Sequence, residues 1–196
     1  MLARRVAAER HHHTGARGVS VTADGGALVS DLRLRVATPD DAQRVGVLLE
    51  ASYRVLMPES YDAHLLARAL PIMTRAQPEL LASGDYYLVV SSDDTAVGCG
   101  GWSLGRPGTG ALAPETAHIR HFATHPSWTR HGIGRALFCW SEAAARLAGA
   151  RRLECYASLN AEAFYARLGL RRQRTIEVPM SADLRFPAIL MTRALT

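Results

Sequence analysis

The sequence predicts an α/β domain, a mixed sheet with one crossover helix in its middle. Three observations carry that expectation. Short alternating or β-branched runs recur along the chain, as strands do. Two helical patterns follow the first strand, and one long amphipathic pattern, residues 133 to 148, interrupts the later strands. A glycine turn, Gly132-Ile133-Gly134, sits where strand 117 to 124 hands over to that long helix. The 196 residues, 48% apolar and 21% charged, suffice for one buried core.

Taken in order, residues 1 to 31 stand apart. They are rich in Arg, Gly, Ala and His, with little periodicity, and read as a disordered extension before one domain over residues 32 to 196. His11-His12-His13 lies in this segment and is not read as a metal site. Leu32-Arg33-Leu34-Arg35-Val36 alternates as a half-exposed strand does. Thr38-Pro39-Asp40-Asp41 reads as a helix start, with Thr38 as cap, Pro39 at the first helical position and acids in the first turn. Val45, Leu48, Leu49 and Ser52 then share one face. A second helix is expected over 61 to 70, ended by Pro71, and a short third over 75 to 82. Strands are expected over 86 to 91, 96 to 104 and 117 to 124. Gly98, Gly100 and Gly101 inside the second of these mark a bulge or a close backbone approach. On the long helix, Ile133, Leu137, Trp140, Ala144 and Leu147 form the expected buried stripe, and Gly149 is its stop. Strand 152 to 157, helix 161 to 168 and strands 171 to 178 and 186 to 193 complete the order.

Composition excludes several functions. All 23 basic residues are Arg, for a net charge of +5, so chemistry that needs a lysine amine is excluded. The arginines are spread along the chain rather than gathered on one face, which argues against nucleic-acid binding. No apolar run approaches the roughly 20 residues that span a bilayer, so no membrane partner is expected. Cys99, Cys139 and Cys155 are odd in number and lack Cys-x-x-Cys spacing. They read as small buried hydrophobes in a reducing cytoplasm, with no metal.

The handover from strand to helix carries the chemistry. The first amides of a helix lack intrahelical partners, and the macrodipole makes that end positive. Glycines let a phosphate approach closely, so Thr129-Arg130-His131-Gly132-Ile133-Gly134-Arg135 reads as an anion cradle flanked by two arginines. A Walker loop is excluded by the missing lysine, and a dinucleotide fingerprint by the missing third glycine and βαβ series.

This segment resembles the signature of the GNAT superfamily of N-acetyltransferases, Gln/Arg-x-x-Gly-x-Gly/Ala. Both glycines match; Thr129 stands where Gln or Arg is usual, with Arg130 beside it. A second family pattern is matched by Asn160-Ala161-Glu162-Ala163-Phe164-Tyr165-Ala166-Arg167-Leu168-Gly169-Leu170. The two motifs lie in the family's order, and the element order matches over residues 32 to 194. The resemblance implies a mostly antiparallel sheet of six to seven strands, helices on both faces, and a splay between the fourth and fifth strands. It implies acetyl-CoA or another acyl-CoA as co-substrate, its pantetheine lying along Phe122, Ala123 and Thr124 and bonding Asn160. It implies direct attack of a small-molecule amine on the thioester, with Tyr165 as general acid. His118 holds the place where relatives carry a base, with Glu115 and a water relay as alternatives; simple alternation puts His118 on one face with Arg120, Phe122 and Thr124, and His121 on the other. Tyr53, Tyr61, Tyr86 and Tyr87 fall in the half that builds the acceptor site, and Trp102 lies beside the strand glycines. A homodimer is common among proteins of this kind. The rival readings are a non-catalytic acyl-CoA-binding module and a protein N-acetyltransferase.

Overall fold

A computed structural model describes residues 21–22, 28–29 and 32–195. Val21–Thr22 and Leu28–Val29 pair as a separate antiparallel ribbon. The other residues of the expected N-terminal extension, including His11 to His13, lie outside the described residues.

Seven strands form the main sheet: β1 Arg33–Val36, β2 Tyr86–Val90, β3 Ala96–Ser103, β4 Thr116–Thr124, β5 Arg152–Ala157, β6 Arg171–Pro179 and β7 Arg185–Ala194. Their order is β1-β2-β3-β4-β5-β7-β6. Every pairing is antiparallel except β4 with β5. That parallel step requires a crossover, supplied by α4, Ile133–Leu147. On the other face lie α1, Ala42–Leu56, α2, Ala63–Met73, and α3, Pro78–Ala82; α5, Glu162–Arg167, follows β5. The central strand β2, Tyr-Tyr-Leu-Val-Val, is buried at all five positions because helices cover both its faces. One apolar cluster, with Ile133, Leu137, Phe138 and Tyr165, fills the α4 side; a second, with Val45, Leu48, Leu49 and Tyr86, fills the α1 side. No helix among the described residues is long and apolar enough to cross a membrane.

Three local expectations are corrected. The helix α2 runs through Pro71 to Met73. Pro71 stands in the last turn, so the one ladder bond it removes is followed by only two more helical residues. The buried stripe of α4 is Ile133, Leu137, Phe138, Ser141 and Ala145, whereas Leu147 is 91% and Trp140 36% exposed. Burial follows the i, i+4 row that meets the sheet, and the apolar residues off that row stay in water. Cys99 and Cys155 are buried, but Cys139, between the buried Phe138 and the exposed Trp140, is exposed.

The start of α1 is held from outside the helix. Asp41 accepts both guanidinium nitrogens of Arg35, at 2.6 and 2.7 Å, and the amide of Thr38 at 2.9 Å. The Arg35 hydrogen bonds, with help from Thr38, hold the Asp41 carboxyl down at about 2. Strand β1 is thereby tied to the helix that carries Tyr53.

Candidate active site

The sheet opens beside β4. Only Thr116, Ala117 and His118 pair with Arg152, Leu153 and Glu154; beyond them β4 and β5 diverge. On its other edge β4 carries a bulge. Cys99 pairs with Ala123 and Gly101 with Arg120, so His121 and Phe122 together oppose Gly100. His121 adopts φ 46°, a left-handed conformation that costs a non-glycine residue about 1 kcal/mol or more. Side chains hold it there. The Tyr86 hydroxyl donates to the His121 carbonyl at 2.9 Å, and the Tyr53 hydroxyl reaches the Phe122 carbonyl at 3.4 Å. Gly100 is required opposite, since a Cβ there would lie 2.5 Å from the Phe122 ring.

The bulge breaks the alternation of side chains, and this overturns the expected face assignment. Arg120 and His121 both reach Gln77, just before α3, at 2.7 and 3.3 Å. Phe122 turns the other way, edge-on to Tyr165 at 6.3 Å. His121 therefore shares a face with Arg120, and Phe122 faces α4 and α5.

The splayed side holds most of the residues expected to bind the cofactor, with Ala123 as the exception. The His125 amide donates to the Val97 carbonyl at 2.9 Å, so by alternation Ala123 also faces β3, while the backbones of Phe122 and Thr124 face the gap. The Ala123 side chain packs towards α1. At the head of α4, Gly132 has φ 76° and no side chain caps the helix. The first ladder bond runs from the Ala136 amide to the Gly132 carbonyl, which leaves the amides of Ile133, Gly134 and Arg135 outside it. Gly134 stands close to its neighbours: a Cβ would lie 3.1 Å from the Phe164 ring and 3.8 Å from the Thr124 hydroxyl. Arg130, at φ 69°, and Arg135 are exposed and make no ion pair with any described residue. The Thr129 hydroxyl bonds the Pro126 carbonyl at 3.0 Å, and the His131 ring pairs with the Thr129 carbonyl at 2.8 Å, so both brace the loop. Trp128 packs on His131. Free amides, a glycine contact and two unpaired arginines fit a pyrophosphate.

Tyr165 closes the mouth of the gap. It touches Phe122 on β4, its hydroxyl lies against the Cys155 thiol on β5, and it is 5% exposed. Burial raises its phenol well above the ordinary value and pushes Cys155 up to about 12. Asn160 is exposed; its amide nitrogen donates to the Leu56 carbonyl at 3.0 Å, which leaves its oxygen and one N–H open to another partner.

His118 does not join this group. It lies where β4 and β5 are still paired, is 1% exposed, and neither ring nitrogen has a hydrogen bond; Glu154 stands 3.7 Å from Nδ1. Burial lowers its pKa, against the pull of Glu154. Glu115 is exposed, bonded to Arg151 at 3.0 Å, and precedes β4. His121 is neutral, pushed to about 4 by burial and then by Arg120. Of the four tyrosines, Tyr53 and Tyr86 meet at the bulge. Tyr61 stacks on Phe186 and Tyr87 packs near Trp140 on the α4 side. Trp102 is 2% exposed and belongs to the core. The polar group formed by Gln77, Ser103 and Arg120 had no signal in the sequence, since its members lie in three separate segments. Among the described residues no group of three His, Cys, Asp or Glu side chains could hold a metal.

Residues 49–170 match the model of the acetyltransferase (GNAT) family. The chain is similar to a GCN5-related N-acetyltransferase from Rhodopseudomonas palustris, at 22% identity and a TM-score of 0.67, over 87% of this chain and all of that one. It is similar to the PaiA N-acetyltransferase of Thermoplasma acidophilum in complex with coenzyme A, at 14% identity and 0.63, over 84% and 99%. It also resembles the ribosomal-protein-S18-alanine N-acetyltransferase of Escherichia coli, at 14% identity and 0.55, over 84% and 94%. At such identities these structures speak for the fold, while the family match covers well over half of the chain. The splayed strands, the bare helix start and that match lead to one conclusion: the chain belongs to the GNAT family of acetyltransferases, enzymes that move an acyl group from acyl-coenzyme A to an amine.

Proposed function

We propose that the protein is an acetyl-CoA-dependent N-acetyltransferase acting on a small-molecule amine. The observation that carries this reading is the half-buried polar group on the α1–α3 face of the bulge. Gln77, Ser103, Arg120 and His121 form one hydrogen-bonded group there, side chains of the kind that can recognise a compact acceptor. On the opposite side, the amides of Ile133, Gly134 and Arg135, with Arg130, receive the pyrophosphate, and the backbone of Phe122 and Thr124 receives the pantetheine arm. The Asn160 oxygen is available to the same arm. Acetyl-CoA supplies the activated acyl group.

The amine nitrogen attacks the thioester carbonyl, a C–N bond forms, and the C–S bond breaks with its electron pair on sulfur. Holding both reactants at the bulge supplies much of the rate. Tyr165, kept protonated by burial, donates its O–H to the sulfur as charge develops there and regains a proton from water once CoA leaves. The proton lost by nitrogen passes to water. Two features favour that relay over an imidazole. His118 is sealed in the closed part of the sheet, and His121, at about 4, is too weak a base to hold an amine proton near neutrality. The pH profile of kcat/KM therefore rises with the pKa of the amine itself. A plateau set near 6 to 7, independent of the acceptor, would restore a histidine base.

Two measurements test the reading: calorimetry with acetyl-CoA, and thiol release across amines, polyamines, amino acids and aminoglycosides. Binding accompanied by turnover of at least one compact amine is expected. Binding without thiol release from any amine would turn the assignment towards a non-catalytic module. Turnover confined to protein N-termini would move it to a protein acetyltransferase.

A further inference from the structure

Five described arginines are half-buried: Arg35, Arg44, Arg106, Arg120 and Arg193. Four of them have a carboxylate. Arg35 holds Asp41 at 2.6 Å, Arg44 holds Asp94 at 2.9 Å, Arg193 holds Glu142 at 3.1 Å, and Arg106 approaches Glu154 at 4.0 Å. Arg120 has none. Its guanidinium donates to two neutral oxygens, Ser103 Oγ at 2.8 Å and Gln77 Oε1 at 2.7 Å, and its Nε is buried without a partner. Charges withdrawn from water are ordinarily paired. The surroundings do not offset this one. On the same face His121 is neutral, and burial and Tyr86, with no carboxylate, are what act on Arg120.

The position of Arg120 gives the missing charge a meaning. It immediately precedes the bulge, on the face opposite α4, and shares Gln77 with His121. A guanidinium presents planar paired donors that match a carboxylate. We propose that the acceptor carries a carboxylate, and that Arg120 binds it while the amine of the same molecule meets the thioester at the bulge. The substrate class is thus an amino acid or a related amino carboxylate, and Arg120 is the residue that selects it. This rests on the acetyltransferase reading above and narrows it.

The experiment compares amines in matched sets: an amino acid, its decarboxylated amine and its carboxamide. Thiol release is measured with the wild type, Arg120→Gln, Arg120→Lys and Gln77→Glu. The last variant places a carboxylate of the protein's own against the guanidinium, which fills the site without removing the arginine. In the wild type, kcat/KM for the carboxylated member is expected to exceed both others by about 10- to 100-fold. Arg120→Gln and Gln77→Glu abolish that preference while acetyl-CoA binding is retained; Arg120→Lys keeps part of it. A purely structural arginine predicts the opposite for Gln77→Glu, an unchanged preference in a more heat-stable protein. A second readout needs no turnover. With CoA present, an N-acetyl amino acid raises the Tm of the wild type and not of Gln77→Glu, whereas its carboxamide raises neither. Equal shifts in both proteins, or none with the wild type, overturn the proposal. If amines turn over with no preference for the carboxylate, the acetyltransferase reading stands and the carboxylate site falls. If no amine turns over but the Tm pattern holds, the site stands and the small-molecule transfer reading falls.

Discussion

The two sides of β4 are built on different principles. On the α4 side the parts proposed to meet the cofactor are backbone: the edge of a splayed strand, the amides of Ile133, Gly134 and Arg135, and glycines at close contacts. On the α1–α3 side the parts are side chains drawn from distant segments, Tyr53, Gln77, Tyr86, Ser103, Arg120 and His121. The difference fits what each side is proposed to do. A pyrophosphate and a pantetheine arm are the same for every acyl-CoA enzyme, so amides and a helix dipole suffice. An acceptor is individual, and side-chain chemistry has to distinguish it. The bulge joins the two, since its residues His121 and Phe122 point to opposite sides.

Substitutions can break or sharpen that contrast. The largest effect is expected for Gly101→Ala, which strikes the frame shared by both sides. Its Cβ would lie 2.3 Å from the Asp85 carbonyl and 2.7 Å from the Tyr86 Cα, and backbone cannot move aside cheaply. A loss of about 3 kcal/mol is expected in denaturant titration; a neutral result would show that β2 and β3 can slide.

Tyr165→Phe follows, as the test of the gap. It should lower kcat by about 10²-fold, or about 2.7 kcal/mol, with acetyl-CoA affinity nearly unchanged. Equal turnover would show that Tyr165 is a packing residue between Phe122 and Cys155.

The acceptor layer depends on the anchorage of α1, and Asp41→Asn tests it. The Asp41 side chain is 8% exposed and its pKa falls from 3.8 to about 2 on folding. A depressed carboxyl stabilises above its unfolded pKa and loses that contribution as pH falls through the folded one. About 2 kcal/mol is therefore present above pH 4 and lost towards pH 2. The Tm of the wild type should drop steeply in that window, and that of Asp41→Asn should start lower and drop less. Parallel curves would assign the acid sensitivity to other carboxyls.

The smallest effect is expected for Arg130→Ala and Arg135→Ala, each weakening CoA binding about 3-fold at low salt and less at 0.5 M salt, because exposed charges are screened. A salt-independent loss would mean that either side chain makes a direct, desolvated contact.

Much of the cofactor side was legible in the sequence. Gly132-x-Gly134, the helix after it and Phe164-Tyr165 are local patterns, and local backbone geometry follows from local residues. Residues that depend on the bulge were misread. Simple alternation grouped Phe122 and Thr124 with His118 and Arg120 and sent His121 away. One extra residue in β4 exchanged those faces. Alternation likewise could not tell that His118 would lie where the strands remain paired.

By itself the sequence determined the order of elements, the bare glycine start of α4, the tyrosine that follows α5's phenylalanine and the absence of lysine chemistry. Each depends on residues within a turn or two of one another. Only the tertiary structure decided which side of β4 each residue serves, that α2 continues through Pro71, and that Arg120 is, among the described residues, the one half-buried arginine left without a carboxylate. The physical reason is that register, burial and charge pairing are long-range quantities. They are set by which strand lies beside which, and Gln77, Ser103 and Arg120 are brought together only by the folded sheet.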